Sequence, residues 1–228
     1  TITDVTLNGA HSGTVAPGAS ITTVVYVTTT ESGSASRWRS TSYRIGSSGS
    51  YTCVDTPDHD ADGSWSESFT INAPATSGTY DVSFVAHRDD GCAAQDQSNT
   101  FTLANGIRVK LGQTISVTTH APATAVYNTN FGVAATASSG LAVAITTTGG
   151  CSGSGSGSAT VTMTSGTGTC TVHYNQAGDS NYNAAPEVTE STTAQKAGQT
   201  ISVTTSAPAT AVFNTQFTVA ATASSGLA

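Results

Sequence analysis

Hydrophobic and polar residues alternate in short runs along most of the chain, which is the pattern of half-buried β-strands. The alternation is clear in TITDVTL at the N-terminus, in SITTVVYVTTT from Ser20, and in TYDVSFVAH, where Tyr80, Val82 and Phe84 share one face. Gly, Pro and Asn separate the runs and mark turns. No stretch has a sustained apolar period of 3.6 residues, so we predict an all-β chain with almost no helix.

The first 106 residues predict seven strands at short spacing, the pattern of a two-layer sandwich. In SRWRSTSYRI, strict alternation places Trp38 on one strand face with Ser40, Ser42 and Arg44; the opposite face holds Arg39, Thr41, Tyr43 and Ile45. Sandwiches often bury a Trp between their sheets, so we expect Trp38 in the core. After Cys53 we expect an acidic turn.

One block of sequence occurs twice. Residues Lys110 to Ala142 return as Lys196 to Ala228 with 28 of 33 positions identical, at a spacing of 86 residues. This period is too long for a solenoid repeat and suits one small β domain. We therefore predict tandem sandwiches at 1–106 and 107–197, followed by an incomplete third repeat, 198–228, that holds only the first strands. Because the linker at 195–198 is short, we expect neighbouring domains to form a semi-rigid rod.

Two stretches of the repeats lack the residues of a packed sandwich. The segment GCSGSGSGSA from Gly150 is predicted to be a Gly/Ser loop that does not pack. Residues 198–228 would leave an apolar face uncovered and a sheet edge unpaired. We expect them to belong to a longer repetitive chain; an arbitrary end, or completion by strands of another chain, is the alternative.

The composition narrows the possible partners. Only 9% of residues are charged, whereas 42 Thr and 30 Ser supply most of the polarity, which favours strands with solvated hydroxyl faces. The net charge is −7, and the only lysines are Lys110 and Lys196, so nucleic acid and anionic membranes are not expected partners. There is no apolar run of about 18 residues, so no membrane insertion is expected.

Four cysteines fall two to a unit: Cys53 with Cys92, and Cys151 with Cys170. This distribution predicts one disulfide in each unit and an oxidising, extracellular setting; free thiols are the alternative. No pair has CxxC spacing, which disfavours a zinc or thioredoxin-like site.

The strongest local motif is Asp58-His59-Asp60-Ala61-Asp62-Gly63, which matches the first half of a calcium loop. Position 12 of such a loop is Phe69 here, so Glu67 or Asp55 would have to complete the site. The alternative is a solvated acidic turn. A sugar-stacking platform is a second possible ligand site, formed by Trp38, Tyr43, Tyr51 and Trp65. The alternative is that at least Trp38 belongs to the core. No other ligand-binding residue and no catalytic residue is predicted.

Two sets of residues resemble known domains. Gly78-Thr79-Tyr80-Asp81-Val82 is similar to the tyrosine corner of immunoglobulin-like domains. Over residues 113–228, ASSGLAV, ATVTMTSGTGTCTV and NQAGDSNYNAAPEVTESTTAQKAGQTI resemble the tandem immunoglobulin-like repeats of large bacterial surface and secreted proteins. The resemblance implies a non-enzymatic stalk, adhesive fibre or filament subunit at a bacterial cell surface, with its own copies or neighbouring repeats as partners. The alternatives are a glycan- or calcium-binding module, or the accessory region of a secreted hydrolase.

Overall fold

The computed structural model describes residues 1–30, 37–93 and 97–227. It divides the chain into two compact units, Thr1–Thr114 with Ala177–Ala185, and Ile115–Gln176 with Pro186–Ala228. Within the described residues the regular structure is β-strand apart from one short 3₁₀ turn, Asp90–Cys92, which confirms the predicted all-β fold.

Unit 1 contains eight strands in two sheets. One sheet has the order β1-β3-β6, and the other has the order β2-β8-β7-β4-β5, in which β2 and β8 run parallel. This two-layer order is that of an immunoglobulin-like sandwich. The last strand extends three residues past the predicted boundary at 106. The strands are β1 (Ile2–Leu7), β2 (Gly13–Val15), β3 (Ser20–Thr29), β4 (Trp38–Ile45), β5 (Thr52–His59), β6 (Gly63–Asn72), β7 (Gly78–His87) and β8 (Phe101–Val109).

The core of unit 1 lies between these sheets and follows the alternation of the sequence. In β3 the inward residues Ile21, Val25 and Val27 are at most 2% exposed. In β7 the inward residues are Val82, Phe84 and Ala86. Trp38 is fully buried in the same cluster, as predicted.

The facing of β4 differs from the prediction. The pairing of β4 with β5 shifts register between Trp38 and Ser40. As a result Trp38 turns inward with Thr41, whose Oγ1 accepts a hydrogen bond from the indole Nε1 at 3.0 Å. Ser40 instead bonds the loop that follows β7. Strict alternation was therefore wrong at this strand, because a register irregularity reverses the faces on its two sides.

The tyrosine corner predicted at the start of β7 is confirmed. The Tyr80 hydroxyl donates to the carbonyl oxygen of Thr76 at 3.0 Å and lies 2.8 Å from Thr76 Oγ1. Its ring lies over Gly78, which has a φ of 156°; a Cβ there would come within 3.2 Å of the Tyr80 ring. Glycine at this position thus lets the ring close onto the turn.

The acidic turn expected after Cys53 is shorter than predicted. Residues Thr52–His59 form β5, and the turn proper is 60–62. β5 is an edge strand that pairs only with β4, so Pro57 can lie in it without removing a hydrogen bond from a second neighbour.

Unit 2 repeats the strand order of unit 1. β9-β11-β15 corresponds to β1-β3-β6, and β10-β17-β16-β12 corresponds to β2-β8-β7-β4, again with a parallel first pair. The short strand β14 contacts both β12 and β15 and so connects the two layers. The strands are β9 (Ile115–Thr119), β10 (Thr124–Val126), β11 (Asn130–Ala137), β12 (Ala144–Gly149), β13 (Cys151–Ser152), β14 (Ser154–Ser156), β15 (Ser158–Met163), β16 (Thr169–Asn175) and β17 (Val188–Gln195).

The Gly/Ser segment after Gly150 packs, contrary to the prediction. It forms β13, β14 and the start of β15. The glycines permit this because the backbones approach closely: a Cβ on Gly153 would meet the Thr160 carbonyl oxygen at 2.6 Å, and one on Gly155 would collide with the carbonyl oxygen of Ser158. The composition of this segment suggested flexibility. In the structure, the absence of a Cβ on its glycines allows neighbouring strands to pair at close range.

The repeated block at the C-terminal end forms one strand pair, β18 (Ile201–Thr205) with β19 (Ala220–Ala223). The register of this pair is the register of β9 and β11 moved by 86 residues: Ile201 lies opposite Ala223, and Thr205 lies opposite Ala220. The same register irregularity occurs in both pairs. Strands equivalent to β15 and β17 are absent from residues 198–227, and Phe213 is 97% exposed.

Candidate functional site

Two of the three predicted calcium residues, Asp58 and Asp60, lie beside an arginine. Arg39 of β4 bonds Asp60 through two nitrogens, with Nε 3.3 Å from Oδ1 and Nη2 2.9 Å from Oδ2. Its Nη1 lies 3.4 Å from Asp58 Oδ2 and 3.7 Å from Asp90 Oδ2. Asp58 is the next-to-last residue of β5, and Asp60 and Asp62 lie in the turn that follows. The cation at which the acidic side chains converge is therefore the Arg39 guanidinium.

The contact between Arg39 and Asp60 favours the charged form of both side chains. The hydrogen bond from Arg39 lowers the pKa of Asp60, and the same bond raises the pKa of Arg39. Glu67, which could complete a calcium loop, bonds His59 instead. In the described part of the chain no group of three or more His, Cys, Asp or Glu residues is arranged to hold a metal ion. Calcium binding by Asp58, Asp60 and Asp62 stays a prediction.

Next to this cluster, one histidine is held between two tryptophans. The His59 ring stacks on Trp38 of its own sheet, with ring centroids 5.3 Å apart, and on Trp65 of the opposite sheet at 4.5 Å. Its Nε2 lies 2.7 Å from Oε1 of Glu67, which is also on β6. We call Trp38, His59, Trp65 and Glu67 the histidine clamp. It connects the two layers at the edge formed by β5 and β6.

The clamp was not found from the sequence. His59 stood inside the calcium motif, and its two stacking partners are 21 and 6 residues away, on different strands. The one indication in the sequence is the alternation of β6, which places Trp65 and Glu67 together on the inward face of that strand. An inward glutamate in a sandwich needs a partner, since an unpaired buried carboxylate is costly.

The disulfide of unit 1 fixes the loop after β7. Cys53 on edge strand β5 is joined to Cys92, with Cα atoms 5.7 Å apart. The Ser40 hydroxyl donates to the carbonyl oxygen of Asp89 at 2.6 Å and accepts from the Cys92 N–H at 3.1 Å. The loop is thus held against the outer face of the sheet by one covalent bond and two hydrogen bonds.

A cavity of about 360 Å³ lies under this loop. At its wall the His87 ring bonds Ser42, Nε2 to Oγ, at 2.8 Å, and its Nδ1 donates to the carbonyl oxygen of Ala93 at 3.0 Å. The Ala93 carbonyl can only accept, so Nδ1 carries the proton and the Ser42 hydroxyl donates to Nε2. Ser42 and His87 are each 4% exposed, so the pair satisfies itself in the interior.

Unit 2 has its disulfide in the core. Cys151 and Cys170 are joined with Cα atoms 5.2 Å apart and belong to the buried cluster of this unit. A second anchor is Glu190 of β17, which accepts hydrogen bonds from the Ala121 N–H at 2.9 Å and the Tyr174 hydroxyl at 2.8 Å, and lies 2.5 Å from His120 Nδ1. Burial would raise the pKa of Glu190, but these hydrogen bonds together lower it.

The four rings proposed for sugar stacking do not share an exposed face. Trp38 is fully buried, and Tyr43 and Trp65 pack on the core cluster. The Tyr51 ring lies under the Arg44 guanidinium at 4.9 Å. The prediction that Trp38 is a core residue is confirmed, and glycan binding stays a prediction.

Comparison with known proteins adds little to what the structure shows. No family model and no curated protein matches the chain. A solved structure, the D0-D1 domain of intimin, matches with 20% sequence identity over 82% of this chain and 97% of that one, at a TM-score of 0.26. With identity and TM-score this low, the match supports no statement about function. The described part of the chain contains no helix with the length and apolar surface needed to cross a membrane.

Proposed function

We propose that this chain is an extracellular, non-enzymatic structural element of a bacterial surface, acting as a repeat stalk or as part of an adhesive fibre. The observation that carries the proposal is duplication: two successive units have the same sandwich order, each with an internal disulfide. Its partners would be neighbouring repeats or further copies of the chain.

The strand order suits a load-bearing domain. In each unit a strand near its start runs parallel to its last strand, β2 with β8 and β10 with β17. Pulling on the two ends slides these strands along each other, so their hydrogen bonds are loaded together rather than one at a time. A mechanical element needs this resistance, since shear distributes the force over the whole pair.

The disulfides limit how far each unit can extend. They close loops of 39 and 19 residues. In the chain-entropy model such loops contribute about 4 and about 3 kcal/mol to the free energy of unfolding. Against a typical total of roughly 5 to 15 kcal/mol for a small domain, this contribution is large. It is available only in an oxidising compartment, which supports the extracellular location.

The outer faces suit a soluble spacer. β6 alternates inward Trp65, Phe69 and Ile71 with outward hydroxyl and amide residues, Ser64, Ser66, Ser68, Thr70 and Asn72. Hydroxyl side chains are hydrated but uncharged, so they create no strong electrostatic field. They therefore neither attract nucleic acid nor repel a neighbouring copy of the chain.

Immunogold electron microscopy of intact bacteria that produce the chain tests the proposal. Antibodies against unit 1 are expected to label thin stalks or fibres outside the cell envelope without permeabilisation. Labelling that requires permeabilised cells would overturn the proposed location. Labelling of a compact secreted particle would overturn the proposed stalk.

A further inference from the structure

Three polar side chains lie in line on an outer face of unit 2. His173 of β16 has its Nε2 2.9 Å from Thr148 Oγ1 on β12, and its Nδ1 3.0 Å from Glu187 Oε1. We call these residues the threonine relay. The order hydroxyl, imidazole, carboxylate is that of a nucleophile, its general base and a group that orients the base.

The hydrogen bonds fix where the protons are. Glu187 also accepts a hydrogen bond from Asn175 Nδ2 at 2.9 Å. Two hydrogen bonds lower the pKa of Glu187, and the bond from Asn175 has a larger effect than the bond from His173. The Glu187 carboxyl is therefore ionised at neutral pH. An ionised carboxylate can only accept, and the neutral ring therefore carries its proton on Nδ1. The lone pair of Nε2 then faces Thr148, whose hydroxyl donates to it.

The relay is accessible to solvent. Thr148 is exposed, and the side chains of His173 and Glu187 are 25% and 47% exposed. The buried pair Ser42 and His87 in unit 1 has the same hydroxyl–imidazole contact, but a backbone carbonyl replaces the carboxylate and both residues are 4% exposed. Among the described residues, the relay in unit 2 alone has hydrogen bonds that join an imidazole both to a carboxylate and to an exposed hydroxyl.

We infer that Thr148 is a reactive nucleophile that accepts an acyl group from an activated ester. Thr148 Oγ1 forms a bond to the carbonyl carbon of the ester, and its proton passes to His173 Nε2. In the tetrahedral intermediate the bond between the former carbonyl carbon and the alcohol oxygen then breaks. The departing alcohol oxygen takes the proton from His173 Nε2. The products are an ester on Thr148 and the free alcohol; Glu187 and Asn175 are positioning residues.

The exposure of the relay limits the reaction to acylation without efficient turnover. On an open strand face, the developing oxyanion is stabilised by water rather than by fixed donors in a dry pocket. We therefore expect one acyl group per chain, which makes Thr148 a modification site and agrees with a structural role for the protein.

The test uses the full chain with p-nitrophenyl acetate as the probe and peptide mass spectrometry as the readout. Thr146 is the matched control, because it is an exposed threonine on the same strand and lies opposite His173 in register, yet the bond goes to Thr148. General base assistance typically contributes about 10² to 10⁴ in rate, so we expect Thr148 to be acetylated at least about 10²-fold faster than Thr146.

His173→Gln is expected to lower the rate at Thr148 to that at Thr146. Glu187→Gln, which removes the carboxylate that orients the imidazole, should lower the rate by a smaller factor. Thr146→Ala should leave the rate at Thr148 unchanged. Equal rates at the two threonines in the unmodified chain would overturn the inference without any variant. An undiminished Thr148 rate in folded His173→Gln would also overturn it.

Discussion

Removal of His59 should destabilise unit 1 far more than removal of an ordinary surface histidine. In His59→Ala two stacked indole contacts are lost, each contributing about 0.5 to 1.5 kcal/mol. Glu67 also loses its 2.7 Å partner, and its side chain is only 20% exposed. A hydrogen bond to a charged group is typically worth about 1.5 to 3 kcal/mol, and partial exposure favours the lower end. Together these terms predict a loss of about 3 kcal/mol.

The assay is urea unfolding of the full chain followed by tryptophan fluorescence. Both tryptophans, Trp38 and Trp65, lie in unit 1, so the signal reports this unit alone. With a slope of about 1.5 kcal/mol per M, a loss of about 3 kcal/mol lowers the midpoint by about 2 M. Glu67→Gln keeps the stack and removes only the charge, so it should cost about 1 kcal/mol.

His11→Ala is the matched control. His11 bonds Asp4 at 2.9 Å in the same unit, but their side chains are 67% and 43% exposed. Such a pair contributes about 0 to 0.5 kcal/mol. If His59→Ala and His11→Ala shift the midpoint equally, the clamp does not join the sheets and the reasoning is wrong.

Three further outcomes follow from the fold. Tyr80→Phe should cost unit 1 about 1 kcal/mol by removing the hydroxyl of the tyrosine corner, whereas Tyr26→Phe on an exposed face should change the urea midpoint little. Because the pKa of Glu190 is lowered on folding, its carboxylate stabilises unit 2 above about pH 4.5, and this stabilisation is lost as pH falls through the folded-state pKa. The protection of the β17 amides, taken relative to their intrinsic exchange rate at each pH, should therefore fall in acid, and Glu190→Gln should flatten this dependence; an acid dependence that the variant leaves unchanged would contradict it. Gly155→Ala should cost unit 2 about 1 to 3 kcal/mol and remove exchange protection from β14, while Ser154→Ala on the same strand should do neither; retained protection in Gly155→Ala would show that the close approach is not required.

Local patterns in the sequence were sufficient for the architecture. Alternation predicted the strands, the repeat predicted a second sandwich, and the residues around Tyr80 predicted the corner that the structure contains. Each of these depends on residues close together in the chain or on exact repetition. The even distribution of the cysteines between the two units also predicted the two pairs that form disulfide bonds in the structure.

The geometry around the candidate site depends on contacts between distant residues, which local patterns in the sequence do not contain. Asp58 and Asp60 match a calcium loop, but Arg39 reaches them from a neighbouring strand. Trp38 shares its inward face with Thr41 rather than with Ser40 because the pairing of β4 with β5 shifts register, which alternation within β4 cannot reveal. The Gly/Ser segment was misjudged because composition does not distinguish flexible glycines from those required by a close backbone approach.

The central claim is that each unit is a load-bearing sandwich whose extension is limited by its own disulfide. Single-molecule force measurements on the full chain, with and without reductant, test it most directly. At about 3.5 Å per residue, reduction should add about 130 Å of contour length to the unfolding of unit 1 and about 60 Å to that of unit 2, because loops of 39 and 19 residues are released. Two separate unfolding peaks with these increments would support the claim. Gradual extension without force peaks, or lengths unchanged by reductant, would contradict it.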